Sequence, residues 1–347
     1  MKNIYILLLM SAVLFSFYSC DKEDELRDES VVAYDKALQN ELDLWIYEHL
    51  TKPYNVKVKY KWDDSEVFND FHVVPPTMEK AKEFLEAYLN LWIKTYEEES
   101  VVGGNPEFMY KFMPKLLVLI GSPQYNADGT TTLGLAEGGK KVTIFNVNKF
   151  AEVDLFGGET PEQALDMKRT AVVKSFHTLH HEFGHILHQT KFYPDEFKEI
   201  SKGKYTGNWM DISNDDAKKH GFITAYSMSE ENEDWVEIAA SMLSLASHTN
   251  EPKLHMDLAV KDNEGNLTSQ DADMYLSDWD FELHFWGWEL DFDQSPVRWK
   301  VTPETLENWK KFHSKVEMVT TYYKEKWGID MYSMQKRIDT AVTELYN

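Results

Sequence analysis

The sequence predicts an α+β protein, and three kinds of pattern predict it. Residues 56–62 read Val-Lys-Val-Lys-Tyr-Lys-Trp, a strict alternation that marks a strand with one wet face. Two short apolar runs, Lys115–Ile120 and Lys141–Val147, read as further strands. Longer stretches on both sides carry apolar residues at helical spacing. With 43% hydrophobic residues in 347, the chain can fill a sizeable core, which excludes disorder as its main state.

Taken in order, Met1-Lys2-Asn3 is a short basic start, and Ile4–Tyr18 is an apolar run too short to span a bilayer as a stable helix. Residues 1–19 have the layout of a secretory signal peptide. Cys20 ends it, and Asp21-Lys22-Glu23-Asp24-Glu25 opens an acidic tether over residues 20–30, leaving 31–347 as the working part. Cys20 is either a lipid attachment point or simply a residue near a cleaved signal. The segment Phe17-Tyr18-Ser19-Cys20 resembles a lipobox, with Phe17 where Leu is usual, as in the relaxed boxes of Bacteroidetes. The acidic residues after Cys20 resemble the signal by which those bacteria send lipoproteins to the outer face of the outer membrane. The resemblance implies a diacylated Cys20 that holds the protein to the membrane through the lipid alone, facing the medium.

From Val31 to Leu50 the apolar Leu38, Leu42, Trp45, Ile46 and Leu50 recur at helical spacing. Pro75-Pro76 closes the stretch after the first strand, and Met78–Glu98 reads as a helix with Phe84, Leu85, Tyr88, Leu91 and Trp92 inward. Residues 114–121 form the second strand. Ser122–Gly139, rich in Gly, Asn, Asp and Thr, reads as a loop, and Lys141–Val147 as the third strand. Thr160 caps a helix whose first turn holds Pro161. Helical pattern then fills Gln163–Gln189 without a clear division, residues 190–222 are irregular with turns near Gly203, Gly207 and Gly221, and Glu230–Ala246 is helical again. Thr302–Lys326 and Met331–Tyr346 make the C-terminal part largely helical.

Charge and cysteine count narrow the function. Against 36 Lys and Arg stand 59 Asp and Glu, a net charge of -23, which repels nucleic acid and anionic lipid. A single Cys excludes intramolecular disulfides, four-cysteine zinc sites and cysteine-held iron–sulfur clusters. Any metal is left to His and carboxylate.

His181-Glu182-Phe183-Gly184-His185 fits the zinc-binding His-Glu-x-x-His pattern. At about 3.6 residues per turn, His181 and His185 project from one face of a helix, and Glu182 stands beside them, able to reach a metal-bound water without filling a coordination position. His177, His180 and His188 belong to a second layer, the surface or the core, with His188 the nearest because it follows His185 by three residues. The metzincin pattern would need Gly at His188 and His at Lys191, so it is excluded. Downstream, Glu233 and Glu237 share a helical face. One can bind the metal while the other orients a ligating His, or both can be an ordinary solvated face. Lys204–Gly207 and Asn208–Asp211 are candidate cleft loops. Asp211–Asp216 reads as a capped polar loop, and Asp262-Asn263-Glu264-Gly265-Asn266 as a surface turn, since its Gly is misplaced for a calcium loop.

Together the two motifs resemble the gluzincin-type zincins, and most specifically a zinc-binding metallopeptidase family of Bacteroidetes lipoproteins encoded beside outer-membrane nutrient importers. The resemblance implies a zincin-like metalloprotease fold, with a small mixed sheet, a central His-Glu-x-x-His helix and a largely helical C-terminal part. It implies Zn2+ held by His181, His185 and Glu233, with Glu237 in support. Glu182 would be the general base, and Tyr226 a hydrogen-bond donor beside the site or a Tyr that merely satisfies its hydroxyl in the core. Trp235-Val236 stands where Phe-Ala is commoner. The implied activity is hydrolysis of peptide bonds in a polypeptide or peptide substrate, with importer components as partners. A non-enzymatic accessory lipoprotein and a hydrolase of non-peptide amides are the alternatives.

Overall fold

The computed structural model describes residues 39–66, 72–125, 131–132, 134–137, 140–155, 157–244, 289–291, 298–300 and 303–347. The expected signal, lipobox and tether around Cys20 and the expected acidic turn at 262–266 lie outside the described residues. Residues 1–43 and 44–347 form two units, and the second holds every element discussed below.

The described strands are β1 (Lys57–Lys59), β2 (Leu116–Leu119), β3 (Gln124–Tyr125), β4 (Thr131–Thr132), β5 (Gly134–Glu137), β6 (Lys141–Ile144), β7 (Glu289–Asp291) and β8 (Arg298–Lys300). Four of them form a small mixed sheet in the order β1-β2-β6-β5. β1 runs parallel to β2 with Val58 beside Leu117, and β2 parallel to β6 with Leu117 beside Val142. β5 closes the order antiparallel to β6, with Ala136 opposite Val142. β3 pairs with β4, and β7 with β8, as separate antiparallel ribbons.

The expected loop at Ser122–Gly139 is therefore wrong, since β3, β4 and β5 lie within it. β3 and β4 pair with each other and β5 pairs with the adjacent β6, so ladder hydrogen bonds outweigh turn composition there. Gly134 has a further reason to be small. A Cβ there would collide with the side chain of Thr178, so this edge strand lies directly against the helix that carries the His pair.

The second predicted helix runs from Met78 to Val102 through a π-helical stretch at Tyr88–Ile93. Thr77 caps it by accepting from the Lys80 N–H, and all five expected inward residues are buried. The undivided helical region at 163–189 is two helices, Pro161–Ser175 and His177–Thr190, and the first has the full capping box between Thr160 and Gln163. Phe176 makes the break because its ring is fixed in the core, stacked on Phe84 at 5.6 Å. The irregular stretch contains three short helical turns, Glu196–Ile200, Trp209–Asp211 and Asn214–Lys218, the last capped by Ser213.

The helix His177–Thr190 keeps its apolar back in the core. Phe183 meets the edges of Trp92, Tyr96 and Phe108 at ring separations of 5.0, 5.2 and 5.7 Å. Its flank crosses the helix Glu231–Ser244 at Gly184, where a Cβ would stand 2.9 Å from Val236 Cγ1. That missing side chain is what lets the two helices approach. The helices Pro303–Tyr322 and Met331–Leu345 pack on the far side of Glu231–Ser244. Among the described residues, no helix is long and apolar enough to cross a membrane.

Candidate metal centre

The crossing at Gly184 sets His181 and His185 opposite Glu233 and Glu237. His181 Nδ1 is 2.8 Å from Glu237 Oε1. Glu237 is held below the usual carboxylate range, because the neighbouring His181 and His177 outweigh the effect of its burial. An ionised carboxylate only accepts, so the hydrogen lies on His181 Nδ1 and a neutral ring leaves Nε2 as a bare lone pair. His185 Nδ1 is 3.1 Å from His188 Nε2. Burial pushes the His188 ring down to about 4, so it is neutral at pH 7, and the tautomer in which His185 Nδ1–H donates to it leaves His185 Nε2 bare as well.

These two Nε2 atoms are 3.2 Å apart. Glu233 faces both, with Oε2 3.0 Å from His181 Nε2 and Oε1 3.3 Å from His185 Nε2. Glu233 Oε2 is buried without a well-directed hydrogen bond despite that proximity. A tetrahedral zinc ion with ligands at about 2.0–2.1 Å holds its ligand atoms roughly 3.3 Å from one another. The observed spacings match that figure, and one ligand atom from each of His181, His185 and Glu233 lies within 4.8 Å of the others. Two imidazole nitrogens and a carboxylate oxygen thus converge on one point, which is the donor set a divalent cation fits.

Without a cation a proton takes its place. Burial lowers the pKa of the His181 ring, but Glu233 and Glu237 overturn that and raise it to about 10. Burial acts on Glu233 in the opposite sense, and His181 and His185 overturn it to hold the carboxyl well below its ordinary range.

Among the other residues singled out in the sequence, Glu182 is half-buried beside His181 and adds to the negative field on His181 and on Tyr226. The Tyr226 ring lies 5.9 Å from that of His181, partly exposed, with the Trp209 ring against it at 5.0 Å. Burial, followed by the charge of Glu233, pushes the Tyr226 hydroxyl up, so it keeps its proton at neutral pH. His188 reaches His185 as its spacing suggested. His180 turns the other way to Tyr96, 3.1 Å from its hydroxyl, and burial drops it to about 3. It is a core residue. Of the two candidate cleft loops, only the one with Trp209 reaches Tyr226; Tyr205 in the other bonds to Asp234, behind the metal face.

Two further residues support Glu237, and only Thr224 escaped the sequence reading. Thr224 Oγ1 donates to Glu237 Oε2 at 3.1 Å, and His177 Nε2 lies 3.5 Å from Glu237 Oε1. His177 precedes His181 by one turn and so had a signal; Thr224 lies in an irregular segment and had none.

Fold and site together define an α+β protein with a two-histidine, one-glutamate cluster that could hold a metal ion at the crossing of two helices. The chain belongs to the family described as putative zinc-binding metallo-peptidases, whose model matches residues 35–332. It is similar to a crystal structure of a putative zinc-binding metallo-peptidase from Bacteroides caccae, at 26% identity and a TM-score of 0.57, over 88% of this chain and 92% of that one. No curated protein matches it.

Proposed function

We propose that this chain is a zinc-dependent peptidase of zincin-like fold, with zinc held by His181, His185 and Glu233. The observation that carries the reading is the convergence of those three ligand atoms with Glu182 beside the first of them. A purely structural zinc site needs no further carboxylate next to its ligands. When bound, zinc supplies Lewis acidity that brings the pKa of a coordinated water from about 15.7 towards roughly 7.

The chain's own residues supply the remainder. Glu182 takes a proton from the attacking water and returns it to the leaving nitrogen, as a general base and then a general acid. Tyr226, protonated at neutral pH, donates a hydrogen bond to the substrate carbonyl oxygen as negative charge develops there. Glu237 and His188 fix the rings of His181 and His185 through their Nδ1 atoms. The lipobox resemblance at Cys20 and the acidic residues after it support a lipid-tethered enzyme on the outer face of the outer membrane. Its polypeptide or peptide substrate would be processed near an import system.

Cleavage-site profiling on a diverse peptide library tests the activity, comparing the zinc-loaded chain with Glu182→Gln and a chelated control. Cuts made by the wild type alone are expected, with Glu182→Gln still binding zinc. Equal cutting by Glu182→Gln would remove its role as base. Absence of any cut by a zinc-loaded chain would favour an accessory binding lipoprotein, and turnover of small amides without peptides a different hydrolase.

A further inference from the structure

The chemistry above leaves one buried ion pair unused. Lys315, on the helix Pro303–Tyr322, and Asp234, on the helix Glu231–Ser244, both have wholly buried side chains, with Nζ 2.7 Å from Oδ2. Lys315 Nζ also donates to the Gly221 carbonyl at 2.9 Å and lies 4.0 Å from the centre of the Phe222 ring. The Tyr205 hydroxyl donates to the same Asp234 oxygen at 3.0 Å, while Asp234 Oδ1 is buried without a hydrogen bond. An ion pair removed from water in this way seldom stabilises a fold more than an apolar pair of the same volume would. Its best-attested use is to fix one arrangement among several similar ones.

The arrangement in question is the rotation of Glu231–Ser244 about its own axis. Asp234 follows Glu233 directly and precedes Glu237 by three residues. At about 3.6 residues per turn, Glu233 and Glu237 share one face, and Asp234 is turned roughly a quarter-circle away from Glu233. Glu237 is bonded to His181 on one side of the helix, and Asp234 to Lys315 on another. A rotation that carried Glu233 off the histidine pair would pull Asp234 away from its amine, at a place where both side chains are wholly shielded from bulk solvent. Apolar contacts alone do not discriminate so sharply, because they are non-directional.

We infer that Lys315 is a positioning residue for the metal centre: through Asp234 it fixes the rotation of Glu231–Ser244 and presents Glu233 to His181 and His185 before a metal ion arrives. The inference rests on the reading of Glu233 as a ligand. It extends the metal centre to a residue on the C-terminal helix, 81 positions from its partner.

The test uses the full chain and two metal ions, zinc for affinity and cobalt(II) for its visible absorption band, which reports ligand geometry. Lys315→Met leaves the Asp234 carboxylate buried without a cation, and is expected to lower the melting temperature and weaken zinc binding more than tenfold. Asp234→Leu combined with Lys315→Met replaces the pair by apolar side chains and separates stability from positioning. It is expected to regain most of the melting temperature, yet to bind zinc at least tenfold more weakly than the wild type and to show a shifted or broadened cobalt band. A double variant with wild-type zinc affinity and cobalt spectrum would overturn the inference. So would loss of the fold in both variants, because the pair would then serve the fold and not the site. A wild type that binds no stoichiometric zinc would reject the metal centre itself, and this inference with it, whereas a wild type that binds zinc and matches its variants rejects the positioning role alone.

Discussion

Replacing Gly184 by Ala places a methyl group where the two site helices cross. Its Cβ would stand 2.9 Å from Val236 Cγ1 and 3.2 Å from Val236 Cβ. Carbon atoms settle at about 3.5–4.0 Å, so the crossing must open by roughly 0.6–1.1 Å unless Val236 turns away, and a β-branched residue inside a helix has one strongly preferred rotamer. Two opposing terms act on stability. Ala is better than Gly in a helix by about 1 kcal/mol, while overpacking costs about 1–3 kcal/mol, so the net loss is expected to be no more than about 2 kcal/mol. The metal centre is less tolerant. Ligand distances must hold to about ±0.2 Å, several times less than the required displacement, and the crossing is what brings Glu233 to the histidine pair. Zinc affinity is expected to fall at least tenfold in a chelator-competition titration, with a melting curve of the metal-free protein to show that the fold persists. Adding Val236→Ala, which removes the 2.9 Å contact and leaves those at 3.2 Å to the residue 236 Cβ and 3.4 Å to the Tyr323 hydroxyl, is expected to restore most of the affinity. A Gly184→Ala protein that is more stable than the wild type and binds zinc equally well would refute the account of the crossing.

Glu233→Ala is expected to abolish stoichiometric zinc binding, and Glu237→Ala to weaken it about 10–100-fold by freeing the His181 ring, with both read by metal analysis after dialysis. If Glu237→Ala were the more damaging, the two carboxylates would exchange roles. Because the His181 pKa is raised to about 10, the stabilisation that its charge gives the metal-free protein is complete below about 6.5 and is lost as pH rises through about 10. Zinc must displace that proton, so its apparent affinity is expected to rise about tenfold per pH unit between pH 7 and 8, and a flat profile there would contradict the proton–metal competition. Cys20→Ala is expected to lose stable membrane association in cell fractionation, and full retention, with the preceding signal removed, would rule out the lipid anchor.

The parts of the site that rest on local spacing are legible in the sequence. His181 and His185 are four apart, as are Glu233 and Glu237, and in both cases a helix places the pair on one face. Spacing alone does not say which Glu meets the metal face. That depends on Thr224 and His177, which together with His181 Nδ1 occupy the Glu237 carboxylate and leave Glu233 opposite the Nε2 atoms. The strands β3 to β5 are hidden for the same kind of reason: a Gly- and Thr-rich segment becomes strand only through ladders that its composition does not announce, β3 with β4 and β5 with β6. Lys315 is the extreme case. In a helical pattern a Lys marks the wet face, and nothing near it in sequence tells of an Asp 81 residues earlier that draws it into the core.

The metal centre is also where the fold works against its own stability. Two ring nitrogens and a carboxylate face one another at 3.0–3.3 Å, and Glu233 Oε2 is buried without a directed donor. Gly184, where helix propensity alone would favour Ala, is kept without a side chain at the crossing that creates this arrangement. A short distance away, an ion pair with 0% exposure on both sides holds the neighbour of Glu233. Neither the facing donors nor the ion pair is what core packing alone would select, since apolar residues would fill those positions at lower cost. Each becomes consistent once a cation occupies the centre, because the same three donors then attract a common partner and no longer lack one. The price in metal-free stability thus falls on the residues whose placement the metal requires, while the rest of the helix His177–Thr190 keeps an ordinary apolar back against Trp92, Tyr96 and Phe108.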